Sequence, residues 1–192
     1  FATSNMMEQA TAAKEKLGWN VVGAMNTCLS WYTGYPSEHY HEPLGYMMID
    51  GETVWDLTQK YGSLGFPTCV VIYSDERPEG MPKVEMKSIR GTSDLTGYEE
   101  QVIPCSSGYI VENGVNKYST IDHDPQNTAS APRSVVGVTA DGKVIMMEND
   151  GRQSISVGMT MSELAELMID LGCVYACNCD GGGSSTFLSK RS

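Results

Sequence analysis

This sequence predicts an α+β domain, a mixed or mostly antiparallel sheet with at least two helices packed on it. Two observations predict it. Three turn signals, Asp50-Gly51, Asn113-Gly114 and Ala140-Asp141-Gly142, each separate two short apolar runs. Asn-Gly and Asp-Gly tolerate the positive φ angles of tight hairpins, so each signal reads as a hairpin. Two further segments read as helices, one near each end of the chain. Hairpins combined with a few helices define the α+β class.

Taken in order, residues 6–17 are rich in Ala, Glu, Gln and Lys, and Gly18 supplies the stop. That predicts the first helix. Residues 19–26 follow as a buried strand ending in Asn26. Residues 27–43 read as a loop rich in aromatic and polar side chains. Residues 46–49 and 53–55 flank the first hairpin turn, and 68–73 form another strand. Residues 75–97 show charge, Pro and Gly clusters with little periodicity and read as an irregular excursion. The second hairpin joins 107–112 to 115–118, and 122–132 is a polar loop. The third joins 133–139 to 143–148.

The second helix spans 161–171. Thr160 and Glu163 have the spacing of a capping box, in which each side chain satisfies an orphan N–H at the helix start. Leu164, Leu167, Met168 and Leu171 fall at i, i+3, i+4 and i+7 and give one apolar face. Residues 174–179 are then a strand, 180–185 a glycine-rich turn, and 186–188 the start of a last strand.

Composition bounds the function. The chain has 192 residues with 13 Lys plus Arg against 24 Asp plus Glu, a net charge of −11. That length suits a single domain over 1–192, excised from a longer protein. With 41% hydrophobic and 19% charged residues it is too apolar for a disordered chain. The acidic balance argues against binding nucleic acid, which needs clustered Lys and Arg. No apolar run is long enough to span a membrane as a helix. The N-terminus, Phe1-Ala2-Thr3-Ser4, lacks the basic and apolar regions of a signal peptide. Six cysteines, at 28, 69, 105, 173, 177 and 179, have no zinc-site spacing and read as small buried hydrophobes. One disulfide among Cys28, Cys69 and Cys105 is compatible with the sequence.

Three constellations could carry chemistry. The first is Asn178-Cys179-Asp180-Gly181-Gly182-Gly183-Ser184-Ser185-Thr186. Three consecutive glycines cost chain entropy, a cost tolerated where backbone takes positive φ or approaches a neighbour closely. Successive N–H groups in such a turn can form an anion-binding nest. Asp180 and the hydroxyls of Ser184 and Ser185 would then face a phosphate or a sugar. The same pattern also fits a plain hairpin turn. It is not a nucleotide P-loop, because the Gly-Lys-Ser/Thr ending is missing.

The second is Arg133 with Asp150-Gly151-Arg152. The two ends of one hairpin lie side by side, so Arg133 and Asp150 should be neighbours, either as an ion pair or with the guanidinium turned to a phosphodiester. The third is Asn26 with the aromatic loop behind it. Asn can bond a sugar hydroxyl, and Trp31, Tyr32 and Tyr35 can stack on a sugar or pack on the core. His39 and His41 in the same loop read as exposed loop residues, with acid–base work near neutral pH as the alternative.

On these residues the sequence resembles the phosphodiester glycosidase family. Gly23-Ala24-Met25-Asn26 resembles its Ala-x-Asn motif. Arg133-Ser134-Val135-Val136-Gly137 through Asp150-Gly151-Arg152 resembles its Arg-Thr-Ala-x-Gly and Asp-Gly pair. Residues 158–186 resemble its helix running into Asn-Leu-Asp-Gly-Gly-Gly-Ser-Ser/Ala-Thr. Ser107-Gly108 and Asn113-Gly114 also stand where the family has Ser-Gly and Asn-Gly. The last 85 or so residues match well and 51–104 match little. Thr27-Cys28-Leu29 departs from the family's usual Gly-Phe-Phe, which bears on the pocket floor.

The resemblance implies hydrolysis of a sugar-1-phosphate diester with a GlcNAc-like sugar, in an extracellular glycan or cell-wall polymer. The family's chemistry would make Asp180 and Asp150 the carboxylates. Arg133 would hold the phosphate with Gly181, Gly182, Gly183 and Ser184, while Asn26, Asn178, Ser185 and Arg152 complete the binding site. Asp150 and Asp180 together could instead hold a divalent cation such as Ca²⁺, since both supply hard oxygen ligands. A secreted or surface-bound protein of bacterial or phage type fits the reading. The alternative is a non-catalytic carbohydrate-binding or adhesion module of the same fold. The net charge would repel an anionic polymer at long range unless Arg133 and Arg152 form a local positive patch.

Overall fold

The computed structural model of the chain describes residues 5–29, 42–56, 66–118 and 125–190. The aromatic loop residues Trp31, Tyr32, Tyr35, His39 and His41 lie outside them. Three sheets organise the described residues, and every strand pairing among them is antiparallel. The fold is therefore dominated by sheet, with antiparallel pairing throughout.

The first helix, α1 (Met6–Leu17), begins with a capping box between Asn5 and Glu8 and ends on Gly18 at φ 71°. It buries no residue, so it lies against the short strand β1 (Gly23–Met25) rather than packing into a core. The expected strand over 19–26 shrinks to those three residues.

One five-stranded sheet, sheet I, runs β3-β2-β6-β4-β5. It comprises β2 (Tyr46–Ile49), β3 (Glu52–Asp56), β4 (Thr68–Tyr73), β5 (Val84–Ser88) and β6 (Glu99–Pro104). Asp50 and Gly51 take φ 50° and 77°, the left-handed pair that the β2–β3 hairpin requires. The irregular excursion over 75–97 is corrected here. It contains β5, paired along its length with β4, and a short 3₁₀ turn over Thr92–Asp94. Val84 and Met86 point to one face while Glu85 and Lys87 ion-pair with Arg77 and Glu99. The alternation has period two, but flanking prolines and charges mask it.

The other five-stranded sheet, sheet II, runs β10-β9-β11-β7-β8. Its strands are β7 (Tyr109–Glu112), β8 (Val115–Asn116), β9 (Arg133–Thr139), β10 (Val144–Asn149) and β11 (Cys173–Asn178). A single-turn helix, α2 (Pro125–Thr128), precedes β9. The helix α3 (Met161–Asp170) has the Thr160–Glu163 capping box and covers the outer face of this sheet. It buries Met161, Leu164, Ala165 and Met168, whereas Leu171 is exposed. Leu171 caps the helix end, where the apolar stripe has turned away from the sheet.

Every residue of β9 is buried because the strand is covered on both faces. Val135 faces α3. Val136 and Val138 face sheet I, where together with Cys177 and Cys179 of their own side they meet Val70, Met86 and Cys105. At Gly137 a Cβ would stand 2.6 Å from the Met168 side chain and 2.7 Å from Cys173 Sγ. Any side chain there would displace the Met168 methyl and the Cys173 thiol and crowd Tyr175 O at 3.0 Å, so glycine lets α3 approach closely. All six cysteines are free thiols, and five are buried. Burial pushes the Cys28 and Cys69 thiols up to about 12. The disulfide among Cys28, Cys69 and Cys105 is not formed.

The last strand, β12 (Phe187–Ser189), pairs with β1 in a two-stranded ribbon. This returns the chain end to Asn26 and sets up the site.

Candidate active site

Antiparallel pairing brings the start of β9 and the end of β11 to one edge of sheet II, with Asn178 opposite Val135. Beyond β11 the chain stays on β9 for one more residue, since Cys179 N–H donates to Ser134 O at 2.7 Å. It then leaves as the loop Asp180-Gly181-Gly182-Gly183-Ser184-Ser185. Gly181 lies against the residue before β9, where a Cβ would stand 3.0 Å from Pro132 O. Gly182 takes φ 63°, donates its N–H to Pro132 O at 2.9 Å, and leaves little room for a Cβ beside the Arg152 guanidinium at 3.3 Å. Two of the three glycines thus answer close approaches, as the entropy argument requires. Gly183 has open space around it.

A cleft of about 730 Å³ opens at this edge. Asp180, Arg133, Arg152, Asn178, Gly181 and Gly182 line it, with Ser106 and Ser107 on the polar side and Leu29, Phe66, Tyr118 and Met161 as apolar wall. Of the residues picked out from sequence, these first six come together. Asn26, Asp150, Gly183, Ser184 and Ser185 do not line the cleft.

The two arginines differ. Arg133 is buried, and its guanidinium is spent on main-chain carbonyls. Nε donates to Met159 O at 3.0 Å, and one Nη donates to Gln126 O and Ala129 O at 2.7 and 2.9 Å. Desolvation, with the neighbouring Arg152, lowers its pKa. The expected contact with Asp150 is absent: β10 pairs Asn149, not Asp150, with Arg133. Asp150 is exposed, and its carbonyl accepts from Asn149 Nδ2 and Ser156 Oγ.

Arg152 makes no side-chain hydrogen bond or ion pair with the described residues. Its backbone takes φ 57°, and its N–H donates to Val157 O across a tight turn at Gln153–Ser156. Two glycines press that turn onto residues 131–132, just before β9. A Cβ on Gly151 would stand 2.5 Å from Pro132 N, and one on Gly158, at φ 98°, 2.4 Å from Ala131 C. The Asp-Gly motif thus delivers the following arginine to the cleft rather than the aspartate.

Asp180 is the carboxylate on the cleft lining. Burial raises its pKa, opposed by the Ser184 hydroxyl and the Gly181 N–H facing the carboxylate. Two N–H groups of the expected nest are already spoken for, Gly182 N–H by Pro132 O and Ser184 N–H by Gly181 O. Asn178 is buried, donates from Nδ2 to Cys179 O at 2.6 Å, and keeps its Oδ1 buried with no partner. Asn26 turns its amide onto the loop. Nδ2 donates to Asp180 O at 2.5 Å, while Oδ1 accepts from Ser134 Oγ and Thr186 N–H at 3.0 and 2.9 Å.

A shared cation between Asp150 and Asp180 is not supported by this geometry. Among the described residues, no three His, Cys, Asp or Glu side chains converge as a metal site would need. Ser106, Tyr118 and Phe66 carry no sequence signal that marks them as cleft residues. Ser107-Gly108, at the start of the second hairpin, is the signal that points to this wall.

The chain matches the phosphodiester glycosidase family over residues 20–191. It belongs to that family. The mouse N-acetylglucosamine-1-phosphodiester α-N-acetylglucosaminidase is 30% identical over 132 residues, covering 57% of this chain and 25% of the mouse protein. An uncharacterized protein of Bacillus subtilis derived from the SPbeta prophage, YomE, is 39% identical over 54 residues, 28% of this chain and 8% of that protein. The zebrafish N-acetylglucosamine-1-phosphodiester α-N-acetylglucosaminidase catalytic domain, auto-inhibited by its pro-peptide, superposes with a TM-score of 0.64 at 20% identity. That match covers 88% of this chain and 53% of the zebrafish chain, and it shows a shared fold. The chain thus spans a quarter or less of these two curated relatives and about half of that catalytic domain.

Proposed function

We propose that the chain hydrolyses a sugar-1-phosphate diester, with a GlcNAc-like sugar, at the anomeric carbon. The observation that carries the reading is the Arg152 guanidinium. It has no partner among the described residues and stands in the cleft that Asp180 lines, where a phosphate would pair with it bidentately. Water supplies its oxygen to C1, the C1–O bond to phosphate breaks, and the phosphomonoester leaves. Phosphate is a good leaving group, so a cation that neutralises it replaces a strong general acid. Arg152 fills that role, with the nearby charge of Arg133 behind it. Asp180 serves as the base for the water and faces the positive charge that develops at C1. Asn178 and the apolar wall hold the sugar.

We place the reaction on an extracellular glycan or cell-wall polymer, in a secreted or surface-bound protein. The substrate class named for the mouse relative supports the GlcNAc-like sugar. Among the described residues no helix is long and apolar enough to cross a membrane.

The test is release of reducing sugar from a small panel of sugar-1-phosphodiesters, UDP-GlcNAc and methyl-phospho-GlcNAc among them, with and without EDTA. The expected result is release that persists in EDTA and falls by at least about 10³-fold in Asp180→Asn. Tight binding without release would favour the carbohydrate-binding module instead.

A further inference from the structure

We infer that Asn26 is a positioning residue, one that fixes Asp180 and both ends of the glycine-rich loop without touching the sugar. Its kinetic consequence rests on the hydrolysis reading above, while its geometry does not. Asn26 follows β1 and does not line the cleft. Both polar atoms of its side chain are engaged. Oδ1 receives two donors, the Ser134 hydroxyl and the Thr186 N–H. Those donors decide which way the amide lies and leave the NH₂ group facing Asp180 O. The next residue completes the grip, because Asp180 N–H donates to Thr27 O at 2.7 Å. The main-chain N–H and C=O of Asp180 are therefore both held from residues 26 and 27.

One side chain thus ties residue 180 to residue 186. Between them lie three glycines, the residues that lose most entropy on being fixed. The tether inside the loop that reaches outside it is Gly182 N–H on Pro132 O. The β1–β12 ribbon adds Asn26 N–H on Thr186 O at 3.4 Å. Without the amide, the loop start is held by one bond and the carboxylate can swing. Small displacements of a reacting group are costly: about 1 Å can remove about 100-fold in rate. Arg152 is mounted on the separate 151–158 turn, so its hold on phosphate does not depend on this clamp.

The chemistry explains the residue type. Asn26→Asp would keep the acceptor for Ser134 and Thr186. It would remove the donor to Asp180 O and set a second negative charge beside Asp180. This variant is therefore the near-isosteric test, and Ser134→Ala, which removes one donor to Oδ1 inside a buried strand, is the milder one.

The experiment measures four quantities on wild type and both variants: kcat, KM on methyl-phospho-GlcNAc, the inhibition constant of inorganic phosphate, and the Asp180 carboxyl titration followed by ¹³C NMR. In Asn26→Asp, kcat should fall about 100-fold while phosphate inhibition stays within about threefold. The Asp180 titration should move to higher pH, because a like charge opposes its ionisation. Ser134→Ala should lower kcat by roughly fivefold with the same split, since it removes one of the two donors that orient the amide. A rise in KM with kcat unchanged would place Asn26 on the sugar and overturn the inference. So would an unmoved Asp180 titration in Asn26→Asp, or kcat and phosphate affinity falling together in Ser134→Ala. If wild type releases no sugar, the hydrolysis reading fails alone. A shifted titration with phosphate binding intact would still support the clamp.

Discussion

Two arginines reach the same cleft from two kinds of structure, and they do opposite work. Arg133 opens β9, a strand covered on both faces, and its guanidinium closes off three main-chain carbonyls. Arg152 sits in a turn at positive φ, pressed down by Gly151 and Gly158, and its guanidinium has no partner among the described residues. In a buried strand a charge must be satisfied by the fold itself. In a turn braced through its backbone, the side chain stays available. The lesson is that the motif arginine inside the regular element is tied up by the fold, and the one in the irregular element is left open to the cleft.

The largest expected effect separates them on the ligand side. Arg152→Ala should lower kcat/KM on a phosphodiester by about 10²–10³-fold, as removal of one preorganised group facing developing charge does. Its thermal midpoint should stay within about 2 °C, since the side chain supports nothing among the described residues. The check is the pair of measurements together. A midpoint that drops with the rate would make Arg152 structural and dissolve the comparison.

Next in size is the converse. Arg133→Ala strips donors from the carbonyls of Met159, Gln126 and Ala129. Bonds to a charged donor contribute about 1.5–3 kcal/mol each, and part of that is recovered by water. A net loss of about 3 kcal/mol lowers the midpoint of a chain this long by roughly 6–12 °C. Turnover per folded molecule should change far less than in Arg152→Ala. Intact stability with abolished phosphodiester turnover would return the phosphate role to Arg133.

What could be read from the sequence follows the same division. The helix caps, the three hairpins and the strand β4 were legible because each is dictated by residues a few positions apart. Asp50-Gly51 and Asn113-Gly114 take the positive φ angles that those pairs favour. The strand β6 was hidden by its polar start, Glu99-Glu100-Gln101. Glu99 is buried there because the Thr96 and Gly97 N–H groups satisfy its carboxylate. At the site, the three glycines announced close contact but not the neighbour. That Gly182 makes room for Arg152, and Gly151 for Pro132, depends on contacts 30 and 19 positions apart in the chain. Hairpin logic put residues 133 and 150 side by side, and the register falls one residue off, with Asn149 opposite Arg133. It could not show that the arginine turns to Met159 and that the aspartate faces solvent.

The smallest expected effect concerns Asp180, the acidic group that lines the same cleft as these two cations. Burial raises its pKa above the usual carboxylate value. Between the ordinary value and the raised one, the folded chain keeps a proton that the unfolded chain has already lost. Stability therefore declines as pH rises through that window and stays lower above it. Asp180→Asn keeps the acceptor facing Ser184 and has nothing to ionise. Its midpoint relative to wild type should thus climb from acid to neutral pH, by an amount on the order of 1–3 °C. Other groups that titrate over the range are common to both proteins and cancel in the difference. A difference that stays flat between acid and neutral pH would mean that burial is fully offset at this carboxylate. One of opposite sign would mean that the Arg133–Arg152 pair outweighs burial there, and both arginines would then count as partners of Asp180 before any phosphate arrives.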